Sequence, residues 1–474
     1  MSFDYQIAVI GGGSGGLTVA AGAASFGAKV ALIERKSQLG GDCLHYGCMP
    51  SKALIQGAKE VYQANEISTL NDQEYDQLFE STMKRVQTAV QDVQNHDSKE
   101  RFINLGIDIY EAEAAFEDEH TLKVGDQTIT AKRIIISTGS SPLVPPIEGM
   151  DSIDYITNES IFSLKKRPQS LAVIGGGIIG LELSQAMARL GVEVTVLEGA
   201  ERILSKEDEE IASTASHLIS SSVHLMTNAV VDKVERGENG ATIHYTKDGQ
   251  SSQIAAEQVL VATGRTPNTG GLNLEAAGID TDKKGFIAVD KSLRTNKRQV
   301  YAVGDCNGSM PFTHVAGMEG KIAVSNAVFG LSRKVSYTKV PWVVYTDPEI
   351  YHLGMTEQDA RSVYGDSLMT FKTKLEHNDR FMAEQHKEGL VKVLTTSSGK
   401  IVGAHAIGDG AGEWMQEVGT VQALNKKFQS ISNIVHPYPA KNNVVTQTAD
   451  LYWREKLFNS PINKALSWYV QNLR

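Results

Sequence analysis

Cysteine is scarce in this chain, with three in 474 residues. So few exclude a secreted scaffold held by disulfides, and no second cluster of cysteine and histidine at short spacing completes a metal site. Excess positive charge is missing too. Lysine and arginine number 46 against 56 aspartates and glutamates, a formal net charge of −10, which argues against nucleic acid as the main partner. No uninterrupted apolar stretch reaches the ~18 residues of a membrane span. The opening Met1-Ser2-Phe3-Asp4-Tyr5 lacks the basic and apolar regions of a secretory signal. These absences predict a cytoplasmic protein in a reducing compartment, where a reactive cysteine pair would be catalytic and cycling.

What is present is enough apolar material, 41% of residues, for about three domains of roughly 150 residues each. The chain is organised around the stretch from Gly40 to Lys52, where Cys43 and Cys48 lie five positions apart. Pro50 suits the first turn of a helix, which lacks internal partners for its N–H groups. A cysteine at such a start feels the positive end of the dipole, which favours its thiolate. On these residues alone a redox pair, an inert buried pair and a metal half-site all stay open.

Two glycine loops repeat one pattern. Residues 6–10 read as a short buried strand, followed by Gly11-Gly12-Gly13-Ser14-Gly15-Gly16 and a helix-like run. Gly11, Gly13 and Gly16 carry the G-x-G-x-x-G spacing, which permits a tight turn, close approach of backbone to a pyrophosphate, and close helix–strand packing. The next strand ends at Glu34, 23 positions after Gly11, where a carboxylate can accept hydrogen bonds from ribose hydroxyls. The pattern returns with strand 170–174, then Gly175, Gly177 and Gly180, a helix, strand 192–197 and Glu198, again 23 positions on. Two copies predict two dinucleotide sites. Glu198 can hold a 2′-hydroxyl and would repel a 2′-phosphate, and Arg202 is preceded by Glu201, so NADH is favoured over NADPH.

Between these loops, residues 53–106 read as polar helix, and short strands follow at 107–110, 121–124 and 133–137. The last enters the turn at Thr138 and Gly139. Pro142, Pro145 and Pro146 mark a linker near residues 149–151. A strand at 259–263 runs into Gly264, and another at 299–303 into Gly304-Asp305. Asp305 reads either as an acceptor for a polyol chain or as a helix-capping turn residue, and Cys306 as structural. From about Val340 the pattern is α+β, with strands at 390–394 and 401–407, helical stretches at 414–424 and 440–456, and His436-Pro437-Tyr438-Pro439 as its notable constellation. Residues 451–474 form an aromatic, basic, helical tail, expected to pack against its domain in preference to a membrane surface. The predicted fold is α/β, with two Rossmann-like dinucleotide-binding domains plus a C-terminal α+β domain. The boundaries are 1–150 and 266–337 for a split first domain, 151–265 for the second, and 338–474 for the third.

These motifs, in this order along nearly the whole chain, resemble the pyridine nucleotide-disulfide oxidoreductases, the family of dihydrolipoyl dehydrogenase, glutathione reductase and mercuric reductase. The resemblance rests on both glycine loops, on Gly41-x-Cys43-x4-Cys48-x-Pro50-Ser51-Lys52, and on Ser137-Thr138-Gly139. It also rests on Ala262-Thr263-Gly264-Arg265-x-Pro267-Asn268, Ala302-x-Gly304-Asp305 and Tyr345-Thr346-Asp347-Pro348-Glu349. It implies FAD on the first loop, completed by Asp305 and the backbone around Thr313, and NADH on the second. It implies a redox-active Cys43–Cys48 disulfide, with Cys48 beside the flavin and Cys43 exchanging with substrate. Lys52 would sit near the flavin paired with Glu182, and a homodimer would carry its acid–base group across the interface. The resemblance thus implies that residues 1–150 and 266–337 form an FAD-binding domain, 151–265 an NAD-binding domain and 338–474 a dimerisation domain.

The acid–base segment departs from the family pattern of His-Pro-Thr followed by Glu. Aligned on His436, Lys441 replaces the Glu; aligned on Tyr438, Asn443 replaces it. Tyrosine there resembles mercuric reductase, yet no cysteine follows Cys306. The reading is a thiol–disulfide oxidoreductase of the dihydrolipoyl dehydrogenase type. The alternatives are a mercuric reductase-like, quinone or metal-ion reductase, and a redox-sensing flavoprotein with little turnover.

Overall fold

Strand Tyr5–Ile10 is buried at five of its six positions, because it lies inside a parallel sheet covered on both faces. Its neighbours are Val30–Glu34 on one side and Gln127–Ile136 on the other, with Ile107–Glu111 beyond the first and Val300–Ala302 beside the last. Alternation splits the apolar run between two cores: Ile7 and Val9 face helix Ser14–Ser25, while Ala8 and Ile10 join Phe116, Leu122 and Ile134 on the other face. The computed structural model describes residues 2–458 and 462–473 and divides into two compact units, Met1–Gly199 with Asn228–Tyr337 and Ala200–Thr227 with Thr338–Arg474.

Within the first unit the second glycine loop sits in the same setting as the first. Strand Ser170–Ile174 pairs in parallel with Glu193–Leu197 and Gln258–Val261, and helix Ile178–Arg189 follows the loop. Antiparallel strands Ala229–Gly237, Gly240–Lys247 and Gln250–Ala256 are inserted before the sheet resumes. The polar stretch after Lys52 resolves into three helices, Cys48–Ile67, Asp72–His96 and Lys99–Asn104. The break between the first two is encoded by Asn71 and Glu74, which form a reciprocal capping box. A short strand, Ala114–Phe116, was not anticipated; its three residues are too few to show alternation.

The second unit carries a five-stranded antiparallel sheet, Pro341–Val344, Glu349–Gly354, Ile401–Gly408, Leu390–Thr396 and Leu368–Lys374 in spatial order. Helix Asn443–Phe458 covers it with Val444, Val445, Ala449 and Tyr452. A buried ionic knot ties residues 207–210 to this sheet. Lys392 Nζ lies 2.8 Å from Asp208, 3.0 Å from Glu210 and 2.7 Å from Glu357. Beside it, Glu207 accepts from Trp342 Nε1 at 2.7 Å and lies 2.8 Å from His352 Nδ1.

Pro50 lies in the first turn of its helix, as expected, and Cys48 is the helix's first residue. The expected packing of the tail against its domain is corrected in part: Tyr452 is buried against the sheet, but helix Ile462–Gln471 leaves Leu466, Trp468, Tyr469 and Val470 exposed. No described helix is long and apolar enough to cross a membrane.

Candidate active site

Cys48 opens the helix Cys48–Ile67, and Cys43 belongs to the preceding short helix, Gly41–His45. Both are free, partly buried thiols. Position one of a twenty-residue helix places Cys48 against unpaired N–H groups and the positive end of the dipole. One turn on, Lys52 Nζ meets Glu182 Oε2 at 2.7 Å and Ser51 Oγ at 3.2 Å. Glu182 comes from the helix of the second glycine loop and is almost fully buried. The Thr313 hydroxyl lies 3.3 Å from Cys48 Sγ.

These neighbours separate the two sulfurs. A hydrogen bond from Cys43, reinforced by Thr313 and the Lys52 charge, outweighs burial and pulls the Cys48 thiol down to about 6. The same bond, with burial and the negative charge of Cys48, pushes Cys43 well above the ordinary thiol range. In the reduced pair one proton therefore rests on Cys43 while Cys48 carries the charge. Cys306 is fully buried, donates to the Val303 carbonyl at 3.3 Å, and is raised to about 12 by burial.

The glycine loops are built for close approach. A Cβ on Gly16 would lie 1.9 Å from the Gly11 carbonyl oxygen, and one on Gly180 would lie 2.1 Å from that of Gly175. A Cβ on Gly177 would meet nothing within 4 Å, and one on Gly13 would find its nearest atom at 3.8 Å. That open space is where a pyrophosphate fits. Glu34 and Glu198 take matching positions, each accepting from the second glycine of its loop, Gly12 or Gly176, at 2.7 Å. The acids thus brace the loops as well as stand ready for a ribose, a role the spacing alone did not disclose.

Asp305 accepts from Ser140 Oγ at 2.6 Å, with Arg265 Nε 3.6 Å away, and burial pushes its carboxyl up. Arg265 also reaches Asp42 at 3.2 Å, so this cluster touches the cysteine segment. Thr138 Oγ1, beside Gly139, is buried with no hydrogen-bond partner among the described residues, an orphaned polar group of the kind a bound nucleotide satisfies. Ser14 Oγ donates to the Thr313 carbonyl at 3.4 Å, and Gly264 takes a positive φ where the second sheet ends. Together these residues fit FAD on the first loop and a nicotinamide nucleotide on the second.

The acid–base segment resolves differently from either alignment. His436 is nearly buried, with Nε2 2.9 Å from Glu417 Oε1 and Nδ1 3.1 Å from the Thr446 hydroxyl. Lys441 does not serve it; its ammonium sits on Asp409 and, at 3.0 Å, on Glu384. Tyr438 is 75% exposed and donates its hydroxyl to Asp379 Oδ2 at 2.7 Å. Asn443 begins helix Asn443–Phe458. Glu417 was missed, and no spacing could have found it: the contact joins residues 19 apart through a helix and a loop. A cavity of about 490 Å³ opens beside it, lined by Gly410, Glu413, Trp414, Glu417, Lys441 and Asn442.

Comparison with known proteins agrees with this layout. Residues 5–320 match the pyridine nucleotide-disulphide oxidoreductase model and residues 340–449 its dimerisation domain. A mercuric reductase from Staphylococcus aureus is 35% identical over 92% of this chain and 80% of its own length. A dihydrolipoyl dehydrogenase from Geobacillus stearothermophilus is 34% identical over 95% of this chain and 96% of its own. Among solved structures, a Cu(II) complex of the HOCl-induced flavoprotein disulfide reductase RclA from Escherichia coli superposes with a TM-score of 0.84 at 27% identity. That match covers 95% of this chain and all of RclA. Matches of this extent, over both segments and in this order, place the chain among the class I pyridine nucleotide-disulfide oxidoreductases, flavoprotein enzymes that use FAD and NAD(P).

Proposed function

We propose that this enzyme takes electrons from NADH and delivers them through the Cys43–Cys48 pair to a small disulfide, with Tyr438 assisting the proton transfer. The observation that carries the reading is the placement of Cys48 at the first position of a twenty-residue helix, hydrogen-bonded to Cys43 and to the Thr313 hydroxyl, with Lys52 one turn on. When bound, FAD and the nicotinamide supply hydride and two-electron transfer. The chain's own residues do the rest. Opening the Cys43–Cys48 disulfide consumes two electrons and one proton; Cys48 keeps the charge and Cys43 the proton. Cys43 then loses that proton and attacks one sulfur of the substrate, forming a mixed disulfide and releasing the first thiolate. Cys48 attacks Cys43, restores the internal disulfide and releases the second thiolate.

The proton of Cys43 passes to the first thiolate released, and the exposed hydroxyl of Tyr438, supplied by the second subunit of a homodimer, assists as a hydrogen-bond donor to that thiolate; the Asp379 carboxylate holds the phenol in its neutral, donating form. His436 is a poor candidate, since Glu417 and Thr446 occupy both its ring nitrogens. A preference for NADH is supported by Glu198 and by Arg202. The Arg202 guanidinium is spent on the carbonyls of Ser205 at 2.9 Å, Glu207 at 3.2 Å and Leu204 at 3.3 Å.

The test is steady-state turnover with NADH and with NADPH, against dihydrolipoamide with NAD, small disulfides, a quinone and mercuric ion. The reading expects NADH-driven disulfide reduction that falls about 100-fold in Tyr438→Phe, while NADH still reduces the bound FAD at the wild-type rate. Equal use of NADPH, or disulfide turnover untouched by Tyr438→Phe, would contradict it.

A further inference from the structure

Helix Ile462–Gln471 is amphipathic, and its apolar face is turned outward. Leu466, Tyr469 and Val470 recur at the i, i+3, i+4 positions of one face, Leu473 follows two residues past the helix end, and all are between 42% and 62% exposed. Lys464, Ser467 and Gln471 lie on the opposite face. Trp468, 67% exposed, lies on the same side as Lys464 and Gln471, and Trp453 and Phe458 of the preceding helix add exposed aromatic surface. An apolar helical stripe normally faces a core, so a stripe in solvent marks an interaction surface.

Composition identifies the partner. Residues 451–474 hold Arg454, Lys456, Lys464 and Arg474 against one acid, Glu455, in a chain of net charge −10. Basic charge, interfacial tryptophan and tyrosine, and an apolar face on a ten-residue helix are the properties of a segment that lies in the headgroup region of an anionic bilayer. The match to the family's dimerisation domain ends at residue 449, so this helix lies beyond the segment that pairs subunits in that model. We infer that the C-terminal helix holds the enzyme on an anionic lipid surface, lying on it without spanning it, and so presents the reductase to acceptors at or in the membrane.

The experiment uses the full-length, FAD-loaded protein and sedimenting vesicles, either phosphatidylglycerol with phosphatidylcholine in equal parts or phosphatidylcholine alone. Leu466→Ser, Tyr469→Ser and Val470→Ser are combined in one variant, checked for wild-type circular dichroism and turnover with a soluble acceptor. The expected result is co-sedimentation with the anionic vesicles, reversed by salt, accompanied by a blue shift of tryptophan emission, and weakened at least tenfold in the variant. The inference is overturned if the wild type stays in the supernatant, if it binds both vesicles equally, or if the variant still sediments. It is also overturned if the variant falls from dimer to monomer, because the helix would then be covered by a second copy of the chain.

Discussion

Cys48 holds its charge through two near neighbours in sequence, Cys43 and Lys52, and through Thr313, 265 positions away. Cys43 donates the hydrogen bond that matters most, Thr313 adds a second at 3.3 Å, and Lys52 contributes charge from one turn along the helix. Burial opposes all three, and loses. The direction of the pH dependence follows. The depressed thiol is ionised above about 6 and becomes protonated as the pH falls through that value. Ultraviolet thiolate absorbance of the reduced enzyme should therefore disappear with a midpoint near pH 6. Thr313→Val removes one hydrogen bond to a charged acceptor, a loss of about 1.5 kcal/mol, and should raise that midpoint by about one pH unit. A midpoint unchanged in the variant would show that Thr313 does not bear on the thiolate.

The glycine loops show what one helix turn can and cannot disclose about itself. Their spacing, the strand before and the acid after are local features, and all were legible because each step spans a few residues. The Lys52–Glu182 pair, with partners 130 residues apart, was legible only through the resemblance. The Glu417–His436 contact was not legible at all, because nothing in either segment specifies the other. The outward face of the last helix was misjudged for a related reason: periodicity reports that a helix has an apolar side, but not whether anything covers it. The two loop glycines that look equivalent in the motif are expected to behave differently. Gly180→Ala forces a Cβ to 2.1 Å from a backbone oxygen and should destabilise the protein by about 1–3 kcal/mol in denaturant unfolding. Gly177→Ala finds open space and should fold normally, yet raise KM for NADH about tenfold, equivalent to ~1.4 kcal/mol of lost pyrophosphate binding. The reverse order of effects would mean that the nucleotide does not cross the second loop.

Across the whole molecule, the nucleotide loops, the Lys52–Glu182 pair and the cysteine helix belong to the first compact unit, while Tyr438 and His436 belong to the second. Under the proposed function, the electron path of the first unit ends at cysteines whose proton transfer is assisted by Tyr438 of the partner subunit. The central claim is that electrons from NADH arrive at Cys43 and Cys48, and alkylation of both cysteines, read by peptide mass spectrometry with and without anaerobic NADH, tests it most directly. The account predicts both cysteines blocked in the oxidised enzyme, both released by NADH, and Cys306 unlabelled throughout in the folded protein. Labelling of Cys43 and Cys48 that is the same before and after NADH would contradict it.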